Sequence, residues 1–108
     1  MKGKPIDNTK MLAIQQRRTN RLNSIKNGIE SGTIKEFEQI FAIMTEIRIS
    51  AELGISFYAF RNKWKDPTEF TIKEIMRFAA LLGVKYNTMS DFMINKVKVN
   101  SKSRIFRD

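Results

Sequence analysis

The stretch at residues 50–67, "SAELGISFYAFRNKWKDP", decides how the rest of this 108-residue chain folds. A helix ending at Leu53, a glycine at 54 able to take positive φ, and a capping serine at 56 leave room for a turn of only about three or four residues. Two helices joined so tightly cross steeply and pack where they meet. Ser50 and Ala51 are small enough for that crossing, and Ile49, Leu53 and Ile55 supply apolar contacts. Past the turn, Phe57, Phe60 and Trp64 recur at i, i+3 and i+7, which is an inward stripe. Tyr58, Arg61, Asn62 and Lys65 are left on the outer face, and no acid stands among them. Asp66-Pro67 ends the helix, because proline disfavours helical backbone in the residue before it.

Helical patterns continue on both sides. Residues 10–31 place Leu22, Ile25 and Ile29 three and four apart behind a polar, basic first half, and glycines at 28 and 32 end the segment. Thr33 followed by Glu36 is a capping-box signature opening "TIKEFEQIFAIM". Ile34, Phe37, Phe41 and Met44 form one stripe there, with Ile40, Ile43 and Ile47 beside it, so this is the expected core helix. Thr45 caps the short helix "EIRISAEL". Thr71 and Glu74 repeat the capping signature, and Ile72, Ile75, Met76, Ala79 and Leu82 share one face before Gly83. "NTMSDFMINKVKV" reads as a last helix with Met89, Phe92 and Met93 inward. Only Val97 and Val99 alternate with lysines, too short a run for a strand. The expected fold is all-α: a compact domain of five to six helices containing a helix-turn-helix. Residues 1–32 form a basic N-terminal arm and helix, 33–95 the domain itself, and 96–108 a basic C-terminal tail.

Composition narrows the chemistry. Eight Phe and 42% hydrophobic residues suffice for one small core. The absence of cysteine removes disulfides and thiolate metal sites and suits a reducing, cytoplasmic setting. Neither a signal peptide nor a membrane span is expected, since the first residues are polar and no run approaches the ~20 apolar residues a span needs. Histidine is absent too, which removes the commonest general base and the commonest metal ligand. With no Gly-rich phosphate loop and no nucleophile elbow, neither an enzyme nor a cofactor, metal or small-molecule substrate is expected.

The net charge of +9 sits at the two ends. Residues 1–31 carry Lys2, Lys4, Lys10, Arg17, Arg18, Arg21 and Lys26 against Asp7 and Glu30. Residues 32–95 balance eight basic with eight acidic side chains, and residues 96–108 carry five basic against one acidic. Basic arms around a neutral body fit a polyanion partner, because lysine and arginine release counterions on reaching phosphate. Charged ends that are merely well solvated are the plainer explanation.

At residues 49–93 the sequence resembles the Cro and phage-repressor type of helix-turn-helix domain, in which an "A-x-x-L-G-I-S" turn leads into the recognition helix. A proline-terminated loop, a further helix and the "LLGV" segment at 81–84 follow in the expected order. It is similar as well to short bacterial and mobile-element proteins that precede this body with an "I-K-x-x-I-E-S-G-x-I-K-x-F" segment, here "IKNGIESGTIKEF" at 25–37. The resemblance spans roughly residues 22–95 and implies that residues 56–65 are a recognition helix. Ser56, Phe57, Tyr58, Arg61, Asn62 and Lys65 match the family's DNA-contacting places. Three departures stand out. Ser50 replaces the preferred alanine, Lys63 occupies a normally inward aliphatic place, and Phe57 faces DNA by family pattern but the core by its stripe.

The expected function is therefore sequence-selective binding of double-stranded DNA by a transcriptional regulator acting as a homodimer, with α-helical residues 56–65 in the major groove. Arginine pairs twice with a guanine edge and asparagine with adenine. Phosphate contacts are expected from Arg17, Arg18, Arg21 and Lys63. The alternative is a protein-interaction module, accessory or antitoxin-like, that uses the same helices without specific DNA recognition. RNA held by the arms ranks below both, because no RNA-module motif is present.

Overall fold

The computed structural model describes residues 8–97. The expectations for Val99, for Lys2 and Lys4, and for the tail from residue 98 onward lie outside the described residues. Six α-helices follow one another: α1 (Asn8–Ser31), α2 (Phe37–Ile43), α3 (Glu46–Leu53), α4 (Phe57–Lys65), α5 (Ile72–Leu82) and α6 (Tyr86–Ile94), with a 3-10 turn over Pro67–Glu69. Among the described residues there is no strand. The chain is all-α.

One aromatic core holds α4 in place. Phe37 of α2 meets the rings of Phe41, Trp64, Phe70, Phe78 and Phe92, with centroids 5.1 to 6.5 Å apart. Phe60 of α4 is fully buried against Phe41, Phe70 and Phe78. Ring pairs of this kind contribute about 0.5–1.5 kcal/mol each beyond the burial of their area. Leu22, Ile25 and Ile29 bring the second half of α1 onto the same core, and Met89, Phe92 and Met93 bring α6.

Helix boundaries follow local chemistry. Thr45 accepts the Arg48 amide at 3.2 Å, and Ser56 accepts the Ala59 amide at 3.2 Å. Thr71 and Glu74 bond reciprocally at 3.0 Å each, the expected capping box. Gly54 ends α3 at φ 73°, where the Ile55 amide donates to Ser50 and the Gly54 amide to Ala51. These two bonds form a Schellman closure, which needs the left-handed backbone that glycine adopts without strain.

Five expectations change. Thr33 does not cap α2. The Gln39 side chain reaches back instead, accepting the amides of Lys35 (2.7 Å) and Glu36 (2.9 Å), while the Thr33 hydroxyl donates to the Gly28 carbonyl. Gly28 does not end α1 but lies buried inside it, where a Cβ would overlap the side chain of Ile34. Ile47 is exposed rather than part of the core stripe, because extended backbone at Met44 breaks the helix and resets its phase. On α5, burial of Phe78 beside Ala79 and Leu82 turns the helix, so Ile72 and Met76 are exposed. Ala51 also faces solvent, and Ser50 alone is the small buried residue at the α3–α4 crossing.

Candidate nucleic-acid interface

The α3–α4 hairpin displays one connected constellation. Arg61 donates from Nε and Nη2 to the two carboxylate oxygens of Glu46, at 3.0 and 2.9 Å. Trp64, one turn further along α4, donates its indole N–H to Glu46 Oε2 at 2.7 Å. The guanidinium carbon of Arg61 lies 4.7 Å from the centre of the Phe57 ring, a cation–π distance. Phe57 in turn meets Tyr58 edge-on at 5.3 Å. One face and one edge of the guanidinium are thus fixed. The Arg61 side chain stays 44% exposed, whereas that of Glu46 is only 14% exposed beneath it.

The Arg61 fork holds the Glu46 carboxyl below its ordinary range; partial burial opposes this and the Trp64 bond reinforces it. The carboxylate is therefore ionised throughout the neutral range, and the fork is charge-assisted on both sides.

Other candidate side chains fall into two groups. Tyr58, at 76% exposure, and Asn62 and Lys65 stand exposed on the outer face of α4, with Ser56 exposed at its start. Lys65 Nζ lies 5.9 Å from the Trp64 ring. Phe57 departs from its expected inward stripe: it is half-buried and sits under Arg61, apart from the core cluster that holds Phe60 and against which Trp64 packs. The helix buries the i, i+4 pair Phe60 and Trp64, which leaves the residue at 57 on the flank.

Lys63 and Arg18 are engaged within the chain. Lys63 runs along the inner flank of α4 to Glu74 of α5 at 3.2 Å and to the Glu69 carbonyl at 3.1 Å. Burial pushes the Glu74 carboxyl up, but bonds from Thr71 and from Lys63 outweigh it and hold it below the ordinary range. Arg18 of α1 forks onto Glu52 of α3 at 2.7 and 2.8 Å, which lowers the Glu52 carboxyl in the same way. Arg17 and Arg21 on the same helix are exposed.

Sequence reasoning found the α4 side chains but missed the pairing of Arg61 with Glu46, of Arg18 with Glu52 and of Lys63 with Glu74, because it counted acids along single helices. A usable signal existed for Glu46. It stands eight residues before Gly54, and Arg61 stands seven after, so a hairpin folded at the glycine brings the two together. Among the described residues, no group of three or more His, Cys, Asp or Glu could hold a metal ion. No helix of the described residues is long and apolar enough to cross a membrane. Comparison with protein-family models, with curated proteins and with solved structures found no match.

Proposed function

We propose that this chain is a sequence-selective double-stranded DNA-binding protein that regulates transcription in the cytoplasm. In this reading α4 lies in the major groove and the basic N-terminal half of α1 follows the phosphate backbone. The observation that carries it is the outer face of α4. A tight hairpin, rigidly seated on an aromatic core, presents Tyr58, Arg61, Asn62 and Lys65 together, all exposed. Arginine and asparagine read guanine and adenine edges, while lysine and tyrosine hold phosphates. One module with so few base-reading side chains binds weakly alone, so a homodimer on a two-fold site completes the proposal.

Enrichment of full-length protein on a random duplex pool at near-physiological salt tests it. A two-fold motif should emerge, and Arg61→Ala should cost about 1–3 kcal/mol at one base pair of each half-site. Equal weakening on specific and scrambled duplexes would remove Arg61 from base recognition. A second reading, a protein-interaction module, draws on the exposed pair Ile72 and Met76, one turn apart on α5. Salt separates the two. Phosphate binding falls steeply as salt rises, and an apolar protein contact does not.

A further inference from the structure

Among the described residues, Glu46 is the acid whose carboxylate bonds a side chain on the outer face of α4, and its presence there needs a reason. A carboxylate facing a polyanion would be repelled unless its charge served something else. The geometry of its fork suggests what that is. A guanidinium carries five N–H donors in a rigid plane. Glu46 takes the side edge, formed by Nε and the near hydrogen of Nη2. The end edge, formed by Nη1 and the far hydrogen of Nη2, is left out of the fork. That end edge is itself a parallel pair of donors, the arrangement that matches O6 and N7 of guanine. Phe57 covers one face of the plane, and Trp64 pins the carboxylate oxygen that Arg61 uses. A long side chain that would otherwise lose rotamer freedom on binding is ordered before the DNA arrives.

We propose that Glu46 is a positioning residue for base recognition: with Phe57 it fixes the Arg61 guanidinium so that its end edge is presented to one guanine in each DNA half-site. This rests on the DNA-binding function proposed above. It makes two predictions of opposite sign for one variant. Glu46→Gln keeps the volume and an oxygen for the Trp64 indole but breaks the fork. The preference for guanine over other bases at the Arg61 position should then fall by about tenfold. Binding to scrambled duplex should rise and its salt dependence steepen, because a net positive charge is released toward phosphate.

The experiment passes wild type, Arg61→Ala, Glu46→Gln and Phe57→Leu through the same duplex enrichment, with thermal melting of each. Arg61→Ala marks the base pair. Loss of preference at that pair alone, in Glu46→Gln and in Phe57→Leu, supports the proposal. If Glu46→Gln melts too low to assay, Phe57→Leu decides, since it removes the stacking face and leaves the hydrogen bonds that Arg61 and Trp64 donate to Glu46 intact. A preference kept within about twofold while Arg61→Ala loses it overturns the positioning role and leaves DNA recognition standing. So does a uniform change at every base pair, or a rise in affinity for the specific site with its preference unchanged, which would make Glu46 a mask over Arg61. A wild type that enriches no motif removes the DNA-binding proposal and this one with it.

Discussion

A carboxylate under an arginine fork stabilises the fold only while it is ionised, and two such pairs clamp the ends of α3: Glu46 to Arg61 and Glu52 to Arg18. Both carboxyls are held below their ordinary value of 4.5, first of all by the arginine hydrogen bonds. In the window between the folded and unfolded values the unfolded chain binds more protons, so stability rises with pH there. The contribution is complete above 4.5 and is lost as pH falls through the folded values. With no histidine in the chain, urea midpoints should stay level from pH 8 to about 5 and drop below that. Glu52→Gln should start lower at pH 7 and drop less steeply in acid. Because Arg18 is 39% exposed, added salt should shrink the difference between the two proteins. Identical acid limbs would remove this pair as a source of the pH dependence. These pairs were hard to see in the sequence for a physical reason. Each joins residues 15 or 34 positions apart, whereas helical spacing reports only neighbours within a turn or two.

At the scale of elements, caps were legible and phases were less so. Thr45, Ser56 and Thr71 each accept the amide three residues on, as their positions before an apolar run foretold. Thr33 had the same signature, yet Gln39 lies where its longer side chain satisfies two amides at once and displaces the expected box. The contrast is measurable. Thr71→Ala should cost about 1 kcal/mol in urea unfolding, because it orphans the Glu74 amide at the start of α5. Thr33→Ala removes a 3.3 Å bond to the Gly28 carbonyl and no α2 cap, so its cost should be well below that of Thr71→Ala. Equal losses would restore Thr33 as a cap. The inward faces were blurred by ties between apolar residues. On α5, spacing alone could not decide between Met76 and Phe78, and the larger ring occupied the core. On α4 it could not tell that Phe57, at the flank, would serve an arginine instead of the core.

The whole molecule divides its work along α1. Leu22, Ile25 and Ile29 seat the second half of this helix on the core, and Arg18 reaches across to α3. Before Arg18, the residues Met11, Leu12 and Ile14 are exposed, as is Arg17. Helix this far from a core draws little stability from packing, which is the main source of helical stability in proteins. Deleting residues 1–17 removes Lys2, Lys4, Lys10 and Arg17 together with Asp7, and lowers the net charge from +9 to +6. The melting temperature should therefore change little, because Arg18 and every core residue of α1 remain. Under the proposed DNA-binding function, affinity for duplex DNA should fall, and the slope of log affinity against log salt should become shallower by about 0.9 for each removed cation that sits on a phosphate. Base preference at the α4 position should be untouched, since phosphate contacts position a protein without reading sequence. A lower melting temperature would make the first half of α1 part of the folded body. An unchanged slope would take these cations off the phosphates and shift the electrostatic work to Arg21, Lys65 and the basic residues after 97.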